Sequence, residues 1–316
     1  MKNNDKFEIV FYEDKNGKSD IYDFIENLRL KDGTRAICNS ALRKTCAIGN
    51  APHQGLPIKS IEFPEGLEEI GKNAFWECVI PNVLTFPDTL RYIHSHAFVG
   101  SYVKKVTIPK NLNMALDAFD SSYIPDSFEV HPDNPYFMTE CDLLYTKDKS
   151  TLIKCLNNNI IDIDLPQSLR RIITGAFVYS SINTLVVPEG VKQINYDAFR
   201  ASHIENLKIT NKDIKVCKHG FDNCFNVYLP EGTTHIVKKS GCLCSPDMQN
   251  VYLLENKEEI RLPDGLKKLC DMIVVMESTR KIIVPESLTS ICSNAIQFYG
   301  KLEIVLHNNM KYISKY

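Results

Sequence analysis

Two thiols one residue apart, Cys242 and Cys244, and two imidazoles one residue apart, His94 and His96, are of a type and spacing that invites metal or redox chemistry. Neither spacing suits the task. Zinc sites built from thiolates usually leave two residues between paired ligands, whereas Cys242-Leu243-Cys244 leaves one. Cys217 and His219 would have to join from a separate segment to complete a ligand set. His94-Ser95-His96 sits between Ile93 and Ala97-Phe98, where an equivalent stretch elsewhere reads Gly71-Lys72-Asn73, so a solvated turn accounts for it. The chain contains no glycine-rich phosphate loop, no Gly-x-Ser-x-Gly elbow and no His-Glu-x-x-His helix. Glu65, Glu68, Glu69, Glu189 and Glu231 are scattered over turns rather than paired. Neither catalysis nor a metal or cofactor is expected.

What holds these residues in place is a repeat. Ile61-Glu62-Phe63-Pro64-Glu65-Gly66-Leu67-Glu68-Glu69-Ile70 leads to Ala74-Phe75, and Phe86-Pro87 with Ala97-Phe98 and Val187-Pro188 with Ala198-Phe199 are later copies. Pro64, Pro87 and Pro109 are 23 and 22 residues apart, and both Pro166 to Pro188 and Pro263 to Pro285 span 22. A period in the low twenties is that of a leucine-rich repeat, so the expected fold is a repeat solenoid. The residues one and three before each proline are apolar, as in Leu84/Phe86, Leu185/Val187 and Ile282/Val284. That is strand periodicity, and proline ends the strand because it has no N–H for a neighbour's ladder. Each coil therefore reads as a short strand, a turn, a second extended stretch and a short helical turn that inserts the Phe. Cys78 and Cys224, three residues after Phe75 and Phe221, read as small buried hydrophobes.

Around this frame the sequence predicts an N-terminal cap over 1–32, with a strand Phe7–Tyr12 and an amphipathic helix after Ser19, and a solenoid over 33–316. Ile37 with Ala41-Leu42 and Cys46 is a worn first copy, and Leu302–Leu306 a last strand whose polar, basic tail suits a cap. Two stretches break the pitch, near 128–156 and 241–254, and both read as hairpin insertions. In them Cys244 aligns with Tyr145, so the fold accounts for its position.

The Pro-Glu-Gly-Leu/Val…Ile…Ala-Phe phrase, with Asp133-Asn134-Pro135-Tyr136, Leu143-Leu144-Tyr145 and Lys147-Asp148, resembles the BspA-type (treponemal-type) leucine-rich repeat family over roughly 33–316. The resemblance implies a curved, right-handed β/α superhelix that binds other macromolecules, including adhesins that bind host matrix proteins. Residues 1–28 are similar to the opening strand and helix of phage-type RelE/HigB-like toxins, which cleave translated messenger RNA. The catalytic basic residues of those toxins lie in sequence that has no counterpart here, so no toxin residue is carried over.

A chain of 316 residues with formal charge −2 has no global field to hold a polyanion, so nucleic acid is not an expected partner. There is no apolar run long enough to span a membrane, and Met1-Lys2-Asn3-Asn4-Asp5-Lys6 lacks the apolar core of a signal peptide, which predicts a cytoplasmic chain with the cell surface as the alternative. Eleven cysteines, an odd number, fit a reducing compartment better than a disulfide framework.

What remains is the surface that such a fold displays. Side chains two before each proline point outward, and stacking places neighbours about 4.8 Å apart. In order they are Glu62, Thr85, Thr107, Asp164, Val186, Lys208, Tyr228, Arg261 and Ile283. The second outward column, four before the proline, includes Val83, Lys105, Asp162, Thr184, Asn206, Asn226, Glu259 and Lys281. Thr85, Thr107, Val186, Lys208, Tyr228, Arg261 and Ile283 are the candidate contacts for a protein or peptide, with Tyr228 and Arg261 as anchors. Strand propensity alone would also select Val, Thr, Tyr and Ile at such positions. The expected product is a monomeric, non-catalytic interaction scaffold. The alternatives are a surface adhesin of the same fold, binding a host matrix protein or glycan, and a toxin–antitoxin component acting through residues 1–30.

Overall fold

A computed structural model describes residues 27–30, 32–42, 58, 60–124, 127–156, 160–217, 220–270, 273–275, 278–293, 295–298 and 300–313. The proposed Phe7–Tyr12 strand and the start of the helix after it lie outside the described residues. Its expected end does not: Asn27–Arg29 is a strand, paired in parallel with Ser60–Glu62 as a preceding coil would be. The chain forms two compact units, Met1–Lys147 and Asp148–Tyr316.

Unit 1–147 stacks strands edge to edge. Val79–Thr85, Tyr102–Ile108 and Ser127–Val130 make a parallel sheet, and Ala36–Ile37, Glu69–Ile70, Tyr92–Ile93 and Asn113–Met114 a second one of two-residue strands. The register slips in Val79–Thr85 between Ile80 and Val83, where Pro81 brings no N–H to the ladder. Leu84, Val106 and Phe128 face the core from the first sheet, and Ile70, Ile93 and Met114 from the second. Between the sheets the plug rings stack, Phe75 on Phe98 at 4.9 Å and Phe98 on Phe119 at 4.8 Å, so each plug covers the one before it.

The plug segments are not helical turns. Among the described residues there is no helix, and the Ala-Phe pairs lie in successive tight turns. Two facts explain the departure from the expected β/α coil. The N–H of Phe75 donates to the Ala97 carbonyl of the next coil at 2.7 Å, and Phe98 likewise to Ala118 at 2.8 Å, so groups that a helix needs internally are spent between coils. Left-handed residues also interrupt each segment, at Asn73 (φ 57°) and Glu77 (φ 56°) in one coil and Asp197 (φ 53°) and Ala201 (φ 50°) in another.

A second turn follows the prolines that close the repeat strands. Leu67 donates to the Pro64 carbonyl and Leu266 to that of Pro263, while Gly66 and Gly265 both adopt φ 100°, the conformation that the third residue of a type II turn demands. The hairpin of this unit pairs Phe137–Glu140 with Leu143–Thr146 in antiparallel fashion, and its two-residue turn puts both Cys141 (φ 49°) and Asp142 (φ 58°) in the left-handed region. Just before it, Asn134 is 0% exposed. Its Nδ2 donates to the carbonyls of Pro109 and Leu112, and its Oδ1 accepts from the N–H groups of Tyr136 and Phe137, so one amide joins the hairpin to the coil beneath.

Unit 148–316 repeats the plan. Ile160–Asp164, Ser181–Val187, His203–Ile209 and Cys224–Tyr228 form a four-stranded parallel sheet, with Phe177 and Phe199 stacked at 5.4 Å inside. A three-stranded antiparallel sheet follows, Val237–Lys239, Cys242–Cys244 and Val251–Leu254. Parallel stacking then resumes with Glu259–Arg261, Lys281–Ile283 and Glu303–Val305 on one side and Lys268–Leu269, Ser290–Ile291 and Tyr312–Ile313 on another. The stretch after Leu306, read from sequence as a polar cap, is instead the remainder of one more coil. Its Ile313 stands in register with Ile291 because the apolar spacing persists there.

The cysteines also depart from expectation. Cys270 and Cys292, 22 residues apart and with Cα atoms 4.7 Å from each other, are joined by a disulfide between successive coils. Each follows the apolar residue of a stacked two-residue strand, Leu269 or Ile291, so the repeat itself brings the sulfurs together. Cys78 and Cys224 are buried and form no disulfide, as read.

Three outcomes follow for stability. Phe199→Ala should destabilise unit 148–316 by about 3–5 kcal/mol in denaturant titration, the usual cost of emptying a buried aromatic site. Asn134→Ala should cost about 1–3 kcal/mol and loosen the hairpin, seen as faster amide exchange at Tyr136 and Phe137, because it orphans buried backbone groups. Reducing Cys270–Cys292, whose partners are 22 residues apart, should remove about 3 kcal/mol of chain-entropy stabilisation, read as a lower melting midpoint with reductant than without.

Candidate binding surface

Parallel pairing in register turns the outward positions into rows. In unit 1–147, Thr85 sits beside Thr107 and Thr107 beside Glu129, and in the neighbouring row Lys105 donates to Glu129 at 2.6 Å. In unit 148–316, Asp164, Val186, Lys208 and Tyr228 are successive neighbours in one row, and Asp162, Thr184, Asn206 and Asn226 in the next. Arg261, Ile283 and Val305 form a separate row, flanked by Glu259, Lys281 and Glu303. Lys281 reaches Glu259 at 3.3 Å, a cross-strand ion pair.

The two proposed anchors do not share a row. Tyr228 ends the four-stranded sheet, Arg261 begins the three-stranded one, and the antiparallel sheet of 237–254 falls between them in the chain. Val186, Lys208 and Tyr228 are thus brought together, as are Arg261 with Ile283 and Thr85 with Thr107. Sequence reading missed Glu129 and Val305 because no proline closes their strands at the usual place. The apolar alternation Phe128-x-Val130 and Ile304-x-Leu306 was the signal available.

The richest face lies on the four-stranded sheet. An open groove of about 360 Å³ is lined by Asp162, Ile163, Asp164, Thr184, Val186 and Lys208. At its Tyr228 side a polar ladder is tied together: the Tyr228 hydroxyl donates to Asn206 Oδ1 at 3.2 Å, and Asn206 Nδ2 donates to the Asn183 carbonyl at 3.2 Å. Asn226 Nδ2 donates to the Glu205 carbonyl at 3.0 Å. Tyr228 remains 52% exposed despite its bond. The result is a firm wall with carboxylates at one end, a lysine in the middle and an exposed ring at the other.

The clusters with chemical potential resolve into structural roles. Ser95 Oγ donates to Asp117 at 2.6 Å and His96 approaches the same carboxylate at 3.4 Å, while His94 pairs with Glu69 at 3.4 Å. The serine is bonded to the carboxylate rather than to an imidazole, so the serine–histidine contact of a nucleophilic triad is not made here. Cys242 and Cys244 are both buried on one strand. The hydrogen bond between their sulfurs, together with burial, pushes the Cys242 thiol well up, and the same bond holds Cys244 below its ordinary value against the opposing effect of burial. Cys217 accepts a hydrogen bond from Gln193 at 3.0 Å, and His219 lies outside the described residues. Among the described residues no group of three or more His, Cys, Asp or Glu side chains is placed to hold a metal ion.

Against known proteins, the pattern of the BspA type leucine rich repeat region matches residues 41–134, 150–228 and 247–316, in six copies. The chain belongs to this family. BspA-type repeats thus account for both parallel stacks, and the matched residues do not include 1–28, whose likeness to a toxin finds no support. Two crystal structures share the fold. A leucine-rich repeat protein from Eubacterium ventriosum aligns over 89% of this chain and 76% of its own at 14% identity and TM-score 0.54. The pneumococcal vaccine antigen PcpA aligns over 94% of this chain and 82% of its own at 15% identity and TM-score 0.51. No curated protein matches the chain. Among the described residues no helix is long and apolar enough to cross a membrane.

Proposed function

We propose that this BspA-type repeat chain is a non-catalytic scaffold that captures a protein or peptide partner on its parallel sheet faces. Val186, Lys208 and Tyr228 form the principal contact, Arg261 with Ile283 a second and Thr85 with Thr107 a third. The supporting observation is the row that ends on Tyr228. An aromatic ring 52% exposed, held by Asn206 and next to a lysine and a valine, is the composition that interfaces favour. A rigid wall of this kind loses little entropy when a partner settles on it.

A surface adhesin with a host matrix protein or glycan as partner is the second reading, and the Cys270–Cys292 disulfide favours it, since such bonds persist in oxidising compartments. Labelling of the native protein on intact cells with a membrane-impermeant reagent separates the two readings, surface labelling supporting the adhesin. For either, the Tyr228→Ala/Lys208→Ala double variant should keep the wild-type melting midpoint while partner capture falls at least tenfold in surface plasmon resonance. Undiminished capture would place the contact elsewhere.

A further inference from the structure

On two of the sheets an outward charge finds its partner one coil away. Lys105 donates to Glu129 at 2.6 Å in unit 1–147, and Lys281 reaches Glu259 at 3.3 Å in the three-stranded sheet of unit 148–316. On the four-stranded sheet the charges are kept apart. Register sets Asp162 beside Thr184 and Asp164 beside Val186, so Lys208 stands two strands from Asp164 in the same row. Two strand spacings are about 10 Å. Among the described residues Asp162, Asp164 and Lys208 make no ion pair, and Asp162 accepts a hydrogen bond from Asn183 Nδ2 at 3.2 Å.

These three side chains share one concavity. The groove of about 360 Å³ is lined by both carboxylates and by Lys208, with Thr184 and Val186 between the charges. Asp162, Asp164 and Lys208 are exposed, whereas Ile163, between the two aspartates in the chain, is buried. Strand alternation therefore sets both carboxylates on the outward face, about 7 Å apart. Like charges at that separation repel each other and are relieved by a cation placed between them. The groove thus has a fixed order of charge: two negative positions, a neutral step and a positive one.

We infer that the segment captured in this groove is a peptide of complementary order, with an arginine for the Asp162 and Asp164 pair and, about 10 Å along it, a carboxylate for Lys208. Arginine suits the acidic end better than lysine. Its planar guanidinium carries five N–H donors and can serve two carboxylates at once, whereas an ammonium is a compact point charge. Thr184 and Val186 give the stretch between the two ends a neutral floor. An acidic segment would meet the two aspartates with like charge, which slows association and disfavours the complex. The inference rests on the reading of this sheet face as the capture surface and names the chemistry of what is captured there.

Selection of a displayed library of random peptides on the immobilised full chain tests this. The selected peptides should share an arginine and, a few residues away, an acidic residue. For the tightest of them, made as a free peptide, the Asp162→Asn/Asp164→Asn variant should bind about tenfold more weakly at an unchanged melting midpoint, and wild-type affinity should fall as salt is raised. Asp162→Lys/Asp164→Lys should reject that peptide and accept one in which glutamate replaces the arginine. Selected peptides that are acidic or purely apolar, binding undiminished in the Asn variant, or a selection that yields no peptide dependent on the groove would each overturn the inference. If the capture of such peptides still falls in Tyr228→Ala/Lys208→Ala, the face remains the capture surface and the arginine assignment alone fails; if it does not fall, both readings fail together. Should the lysine variant not fold, the Asn variant, which keeps the shape of both side chains, decides the matter.

Discussion

Backbone N–H groups in this chain are spent largely on the neighbouring coil. Phe75 bonds to Ala97, Phe98 to Ala118 and Phe177 to Ala198, and the flanking strands pair in parallel with the same offset of one repeat. That single choice has several consequences. It stacks the plug rings at 4.8 to 4.9 Å in unit 1–147, close to the strand spacing, so packing and hydrogen bonding reinforce one another. It consumes the donors that a helix would need, which is why the plug segment folds into turns with left-handed residues. It also brings every residue near its equivalent one repeat away, and so joins Cys270 to Cys292 and sets Lys281 against Glu259.

The candidate face inherits its order from that stacking. A side chain in the row from Asp164 to Tyr228 has its neighbours fixed by register, and the Asn206 bond to Tyr228 limits what the ring can do. Preorganisation of this kind comes from the scaffold, since the inward neighbours of Asp164, Val186 and Lys208 are buried and Val227 and Leu229, those of Tyr228, are partly so. The antiparallel sheet of 237–254 ends the row, leaving the three-stranded sheet with Arg261 as a face of its own.

Much of this was legible in the sequence because proline punctuates it. Pro64, Pro87, Pro166, Pro188, Pro263 and Pro285 mark strand ends, and the inward and outward positions counted from them agree with the burial seen at Leu84, Leu185 and Ile282. Where proline is missing, as after Val130 and Leu306, the strand went unread as a member of a row. The plug turn was misread because an Ala-Phe pair has respectable helix propensity, and nothing local reveals that the next coil competes for its N–H groups. The break between Tyr228 and Arg261 was hidden for a related reason: a constant count from proline says where a residue lies in its coil, but not whether the adjacent coil in sequence is the adjacent one in space. The Cys270–Cys292 spacing of 22 residues equals the repeat length and could have been recognised as a pair from that alone.

The plug turns constrain how such a chain can change in length over generations. A one-residue change in a coil has to be absorbed where a backbone group is not committed to the neighbouring coil, as the register slip at Pro81 does in the coil that takes 23 residues from Pro64 to Pro87. Larger changes come in whole coils or in excursions that leave and rejoin the stack at one point. The antiparallel segments at 137–146 and 237–254 have the form of such excursions, which makes them the places where length can vary most freely among relatives.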